Sequence, residues 1–83
     1  MNRRRLLLRI QNGAVANIAI GDFEDLLIGL GFNQDRSRGS HRIFRHPAVP
    51  KNMNIQPLHG QAKTYEVREL LRLIEAYNLR LED

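Results

Sequence analysis

Apolar residues recur at helical spacing in two segments of the chain. Residues 22–30 carry apolar side chains at positions i, i+3, i+4 and i+7, and residues 67–74 do the same. This spacing places the side chains in one stripe along an α-helix, which can pack against a core. The pattern predicts one helix over residues 22–30 and another that begins with Thr64 as its N-cap and runs to about Tyr77. The two stripes consist of Phe23, Leu26, Leu27 and Leu30, and of Val67, Leu70, Leu71 and Ile74.

The first of these helices is followed by residues that are typical of a helix C-terminus. Gly31 stands between Leu30 and Phe32. Glycine readily adopts the left-handed backbone conformation just after a helix, and the next apolar residue often packs back onto the last turn. We therefore expect Gly31 to end the helix and Phe32 to fold back onto it.

Three short segments between the two helices are expected to be β-strands. Residues 33–38 are polar and are followed by Gly39-Ser40, which is a turn signal. Residues 41–45 contain an Ile-Phe pair that favours a strand. Residues 47–50, with a proline at each end, are expected to form an irregular loop. Residues 53–58 alternate apolar and polar side chains, which predicts a third strand at a sheet edge.

The first twenty residues predict an additional helix. In residues 3–12, leucines and Ile10 are interspersed with arginines, and Asn12-Gly13 supplies a stop signal. We treat residues 1–20 as an N-terminal helical extension and residues 21–83 as the main domain. The fold class expected for the main domain is α+β, with an antiparallel three-stranded sheet that carries both helical stripes on one face.

Length and composition limit the architecture. A chain of 83 residues is enough for one small domain, and any site in it is expected to be shallow. The chain has no cysteine, which excludes disulfides and thiolate metal sites. It has no run of 18 apolar residues, so no membrane span is expected. The basic and leucine-rich start resembles part of a signal peptide, but Arg9 and Gln11 interrupt it, and we expect a cytoplasmic protein.

The charge is unevenly distributed. The formal net charge is +4, and residues 33–51 hold five basic residues against one acidic residue. Residues 64–83 hold three arginines against five acidic residues. A basic middle is typical of a protein that meets phosphates on one face, although a basic surface that serves solubility alone would give the same balance.

His41 is the strongest candidate for a catalytic residue among the three histidines. It follows Gly39-Ser40, it is flanked by Arg38 and Arg42, and Arg36 and Arg45 lie further out. Cleavage of RNA needs a base that takes the proton from a 2′-OH and cations that stabilise the charge which develops on the phosphate. Alternation along the strand places His41, Ile43 and Arg45 on one face and Arg42 and Phe44 on the other, and the sequence favours neither as the packed face.

The other two histidines are weaker candidates. His46 precedes Pro47 and is interpreted as a turn or strand-end residue. His59 lies near Lys63, before the last helix, and is a candidate auxiliary group that could approach a phosphate at the helix N-terminus. The spacing of the histidines and the lack of a carboxylate cluster between them predict no metal site, and no motif predicts a cofactor.

Several elements in this order resemble the HicA (YcfA-like) toxins of bacterial toxin–antitoxin pairs. The helix ends in Leu-Gly-Phe, followed by an Arg-x-x-Gly-Ser-His element and an Ile-Phe-x-His-Pro strand. In this chain the elements are Leu30-Gly31-Phe32, Arg36 to His41, and Ile43 to Pro47, and the resemblance extends over about residues 20–77 through Asn54-Ile55-Gln56-Pro57, Gly60-Gln61-Ala62-Lys63 and Tyr65-Glu66-Val67-Arg68.

The resemblance implies a fold and an activity. It implies a double-stranded-RNA-binding-like α-β-β-β-α domain that acts as a ribosome-independent mRNA interferase. It places the histidine required for cleavage at His41. It also implies a HicB-like antitoxin that covers this histidine, in a toxin–antitoxin hetero-oligomer, with a homodimer as another possible assembly.

The chain departs from the family pattern at one position, and three hypotheses for its function remain open. Many members have two consecutive histidines after Gly-Ser, and here the second position is Arg42, which either adds affinity for phosphate or weakens cleavage. The leading hypothesis is a metal-independent endoribonuclease with His41 as general base or acid. The alternatives are an RNA-binding module without catalysis and a protein whose basic face meets an acidic partner. The residues expected to bind RNA are Arg36, Arg38, Ser40, Arg42, Arg45 and Lys63.

Overall fold

The structure, a computed structural model, describes residues 1–82 with the exception of the side chains of Arg36 and Ser37. Three helices and three strands follow one another along the chain. The first helix precedes an α-β-β-β-α unit, which confirms the predicted fold class and the extra N-terminal helix. The elements are α1 (Arg3–Gln11), α2 (Ile20–Gly29), β1 (Asn33–Arg38), β2 (His41–His46), β3 (Val49–Ile55) and α3 (Thr64–Tyr77).

The three strands form one antiparallel sheet with β2 in the centre. On β2, Phe44 is buried, and its neighbours at i−2 and i+2, Arg42 and His46, contact residues of the α2 segment. Because side chains alternate along a strand, these three residues face the helices, and His41, Ile43 and Arg45 lie on the opposite, open face. The structure thus decides which of the two faces is packed.

The core lies between the sheet and the helices and includes residues of all three helices. Each helix contributes apolar side chains, and α1 contributes Leu6 and Ile10 to the same buried cluster as α2 and α3. The N-terminal segment is therefore packed into the core of the domain. The largest fully buried apolar side chains are Phe23, Phe32, Phe44, Ile10, Leu26, Leu27, Leu30, Ile55, Leu70 and Val67.

The end of α2 has the predicted conformation. Gly31 has a φ of +100°. The amide of Phe32 donates to the Leu27 carbonyl oxygen at 3.0 Å, and the amide of Gly31 donates to that of Ile28 at 3.0 Å. These two bonds form a Schellman motif, and Phe32 is buried against the core as expected.

The third strand differs from the prediction. It spans Val49–Ile55 instead of residues 53–58, and it includes Pro50. The register between β2 and β3 shifts between Phe44 and His46, so that Pro50 lies in the irregular part of an edge strand. A proline is tolerated there because the missing N–H need not belong to the hydrogen-bonded ladder.

The last helix begins one residue earlier than predicted, because the residue before Thr64 is its N-cap. Its N-cap is Lys63, and Thr64 is the first helical residue. The carboxylate of Glu66, at the third helical position, accepts a hydrogen bond from the Lys63 amide at 3.0 Å. A glutamate at this position satisfies the N-cap amide, which a threonine hydroxyl one residue further along does not do.

No helix among residues 1–82 is long and apolar enough to cross a membrane.

Candidate functional site

His41 lies at the tip of the hairpin that joins β1 and β2. It is the first residue of β2, and its Cα partner across the hairpin is Arg38. The two-residue turn between them is Gly39-Ser40, where Gly39 has a φ of +58°, as a tight hairpin turn requires. Directly opposed residues of an antiparallel pair share a face. Arg38 and His41 are both exposed and therefore present an imidazole and a guanidinium on the same side of the hairpin.

The turn beside His41 is tied to the N-terminus of α3. The Gln56 side-chain amide donates to the Ser40 hydroxyl at 3.1 Å, and the Gln56 backbone amide donates to a Glu66 carboxylate oxygen at 2.9 Å. The other oxygen of Glu66 accepts from the Lys63 amide. Glu66 is only 2% exposed, and both of its oxygens are hydrogen-bonded. A buried carboxylate that is satisfied in this way fixes the backbone of Gln56 against the start of α3, and the Gln56 side chain links it to the tip of the hairpin through Ser40.

Neither Glu66 nor Gln56 is predicted from the sequence as part of the site. Glu66 carried a signal, because a glutamate at the third position of a helix is typical of a capping arrangement. Gln56 carried none, since its contact with Ser40 joins residues that are 16 positions apart. Ser40, expected to bind RNA, is exposed, and in this structure it also accepts the Gln56 amide.

Two of the predicted RNA-binding arginines form ion pairs within the chain. The Arg42 guanidinium lies 2.7 Å from a carboxylate oxygen of Glu24 on α2, in a partly buried position on the helix-facing side of the sheet. Arg45, on the open face, lies 2.7 Å from the carboxylate of Asp35. The structure therefore does not place Arg42 beside His41 on the open face, although the two residues are adjacent in sequence.

The Arg42–Glu24 pair leads to a prediction for stability. Replacing Arg42 by alanine is expected to lower the free energy of unfolding by about 1 kcal/mol, because the pair is partly buried and joins β2 to α2. A double-mutant cycle with Glu24→Ala, measured by urea denaturation, should give a coupling energy of about 0.5–1 kcal/mol. If the two substitutions were additive, the ion pair would not stabilise the fold, and the guanidinium would be available to RNA.

His46 has a structural role, which confirms its interpretation as a strand-end residue. It is the last residue of β2, and its Nδ1 accepts from the Ala48 amide at 3.0 Å. Since that nitrogen accepts, we assign the hydrogen to Nε2, which lies 3.0 Å from the Leu30 carbonyl oxygen and donates to it. The ring also packs edge-on against Phe32, with 5.0 Å between centroids. Both ring nitrogens are engaged, so His46 holds the end of α2 against the sheet.

His59 and Lys63 lie together at a second place on the surface. Both line a cavity of about 420 Å³ between the turn at residues 58–61 and the start of α3, together with Tyr65. The Lys63 ammonium lies 5.8 Å from the centroid of the Tyr65 ring, and Tyr65 is 60% exposed. His41 is not a lining residue of this cavity. The structure thus brings His59, the predicted auxiliary group, together with Lys63, a predicted RNA contact, in a cavity that His41 does not line.

The remaining predicted contact is Arg36, whose side chain lies outside the described part of the structure. Its backbone pairs with that of Ile43 across the β1–β2 ladder, next to a register shift at Asp35. In residues 1–82 as described, no three histidine, cysteine or acidic side chains lie close enough to share a metal ion.

Comparison with protein families shows to which family the chain belongs. Residues 20–76 match the family described as the HicA toxin of bacterial toxin–antitoxin. The chain belongs to the HicA toxin family. The match begins at the first residue of α2 and ends within the last turn of α3, so it spans the whole α-β-β-β-α unit and leaves α1 outside. This HicA protein is therefore a toxin of a toxin–antitoxin system, with a cognate antitoxin as its partner. Comparison with curated proteins and with solved structures gave no match.

Proposed function

We propose that this HicA toxin is an endoribonuclease that cleaves mRNA without a metal ion and that His41 transfers the proton. The observation that carries the proposal is the position of His41, exposed at a hairpin tip with Arg38 opposite to it on the same face. Imidazole is the side chain best suited to proton transfer near neutral pH. An exposed tip also allows an extended RNA strand to reach it, which a deep pocket would prevent.

The reaction is an attack of a ribose 2′-oxygen on the adjacent phosphate. His41 as general base removes the 2′-OH proton, the P–O bond to the 5′-oxygen of the next nucleotide breaks, and a 2′,3′-cyclic phosphate and a 5′-hydroxyl are formed. The leaving oxygen takes its proton from water or from the imidazolium. Arg38 stabilises the negative charge that develops on the phosphate, as a guanidinium does in other phosphoryl-transfer sites.

The other expected RNA contacts divide according to their surroundings. Ser40 and Arg36 belong to the same hairpin as His41, and we propose that they bind the RNA next to the scissile phosphate. Lys63, with His59 as an auxiliary group, binds RNA beyond it, at the cavity before α3. Arg42 and Arg45 contact RNA only if they leave their carboxylate partners Glu24 and Asp35, or if they bind phosphate while they stay paired with them.

The proposed partners follow from the same site. A HicB-like antitoxin that covers His41 blocks access of RNA to the hairpin tip, and the inactive form is then a toxin–antitoxin hetero-oligomer. A homodimer of the free toxin is the other proposed assembly. The site of action is the cytoplasm, where mRNA is found.

One observation favours a second candidate function, an RNA-binding module without cleavage. Position 42, where many family members are expected to have another histidine, holds an arginine whose guanidinium is paired with Glu24. The hairpin tip then has a single proton-transfer residue. Such a protein would bind RNA through its shape and phosphates and leave it intact.

Two substrates of the same sequence separate the two functions. The purified toxin is expected to cut an RNA oligonucleotide and to leave the all-deoxy version uncut, because DNA lacks the attacking 2′-OH. RNA that is retarded in a gel but stays intact at several pH values would support the binding module. Cleavage of both oligonucleotides would show that the chemistry does not use the 2′-OH.

A further inference from the structure

The helix α1 has one face in the core and one face made of arginines. Leu6 and Ile10 are buried, whereas Arg5 and Arg9 on the other side are exposed, with Leu8 between them at 57% exposure. No acidic residue occurs in the chain before Asp22, so nothing within this segment neutralises the arginines. The segment also lies outside the residues that match the HicA family.

The charges on α1 oppose the stability of the helix. Its first three residues are Arg3, Arg4 and Arg5, and its first turn holds no acidic residue. A helix N-terminus carries a partial positive charge, and each exposed cation there costs about 0.3–1 kcal/mol. Arg5 and Arg9, at i and i+4, also repel each other. A local conflict of this kind is typical of a functional surface.

Arg3 differs from the other arginines because it is used to fix α1 in place. Its guanidinium binds both carboxylate oxygens of Asp25 on α2, at 2.9 and 2.8 Å. These hydrogen bonds hold the pKa of Asp25 below its ordinary value. Together with the burial of Leu6 and Ile10, this bidentate pair holds α1 against α2. The backbone of Arg5 and Arg9 is therefore held on the surface of the domain, and their side chains point away from the core.

Arg5 and Arg9 are available to a ligand. Among the described residues, Arg5 and Arg9 have no carboxylate partner, and the Arg9 guanidinium donates a hydrogen bond to the Met1 sulfur at 3.6 Å. Guanidinium groups bind phosphate in a bidentate manner, and protein–nucleic acid interfaces are polar and positively charged. An interface with another protein usually has an apolar centre, and Leu8 is the single large apolar side chain of α1 that is exposed.

We propose that the exposed face of α1 is a second RNA-binding surface, which holds phosphates of the substrate outside the cleavage site through Arg5 and Arg9. The proposal rests on the proposed RNA substrate but not on cleavage. The ligand of this α1 surface is the sugar–phosphate backbone, so the surface raises the affinity of the toxin for RNA of any sequence.

The test measures the salt dependence of RNA binding. The full chain with His41→Ala, which is expected to cut too slowly to interfere, is titrated against a labelled single-stranded RNA by fluorescence anisotropy between about 50 and 200 mM salt. Adding Arg5→Gln and Arg9→Gln is expected to reduce the slope of log K against log salt by about 1.4, because each single-strand phosphate contact contributes about 0.7. Affinity at about 0.1 M salt should fall roughly 20-fold.

The matched control replaces two exposed arginines outside this face, Arg68→Gln and Arg80→Gln, and thus removes the same charge. It should change the slope much less. Equal slopes for the two double variants would overturn the proposal, and so would unchanged RNA binding with weakened binding of the antitoxin, which would identify a protein partner for α1. If the wild-type toxin does not cut RNA but the α1 variant still loses affinity, the proposed enzymatic function fails and this inference stands.

Discussion

Replacement of His41 by alanine is expected to lower the rate of RNA cleavage by a factor of about 10²–10⁴, the usual contribution of a general acid or base. The side chain is exposed at the hairpin tip, so the free energy of unfolding should change by less than about 0.5 kcal/mol. Growth arrest should be lost in cells, while binding to the antitoxin persists. The measurements are a single-turnover cleavage rate on a labelled RNA and a denaturation curve for the same preparation.

A matched control is available in the second exposed histidine. His59 has a φ of +52°, so asparagine, which tolerates this conformation, is a suitable replacement. His59→Asn is expected to lower cleavage much less than His41→Ala, because His59 lies in a cavity that His41 does not line. Equal losses in the two variants would mean that the two histidines act as a pair, and an active His41→Ala variant would refute the assignment of His41.

The largest effect on stability is expected from Gly31→Ala. Gly31 has a φ of +100°, which costs an alanine about 1–2 kcal/mol. A Cβ at this position would lie 2.8 Å from His46 Nε2 and would also meet the Glu82 carboxylate. His46 cannot move away without losing its hydrogen bond to Leu30. With about 1–3 kcal/mol for the overlap, the expected loss is roughly 2–5 kcal/mol, a large part of the stability of a domain this small.

A substitution at Gly13 separates the cost of the positive φ from the cost of the steric overlap. Gly13 has the same φ of +100°, but a Cβ there has no atom within 4 Å. Gly13→Ala should therefore cost only the conformational part, about 1–2 kcal/mol. The two midpoints of urea denaturation give the comparison. A Gly31→Ala variant as stable as Gly13→Ala would show that the contact with His46 contributes nothing.

The sequence carried enough information to predict the order of the elements. The helical stripes, the stop at Gly31 and the Gly39-Ser40 turn are local signals, and local signals act over a few residues that can be seen in the sequence. The start of β3 could not be predicted in this way. Pro50 is excluded from a central strand but not from an edge strand with a register shift, and the position of a strand in a sheet is a property of the whole fold.

The candidate site was predictable to the same extent. His41 and Arg38 flank a turn that the sequence already indicates. The face that Arg42 takes depends on which side of the sheet is packed, and its partner Glu24 is 18 residues away. The contact between Gln56 and Ser40 also joins distant segments. Contacts between residues that are far apart in the sequence can be identified only when the fold is known.

The central claim is that this toxin cleaves RNA by attack of the 2′-oxygen without a metal ion. The measurement that tests it most directly is the chemical nature of the product ends after digestion in excess chelator. We expect 5′-hydroxyl ends with 2′,3′-cyclic phosphate or 3′-phosphate partners, formed by the wild-type toxin and not by His41→Ala. Intact RNA in the chelator, or products with 5′-phosphate and 3′-hydroxyl ends, would contradict the account.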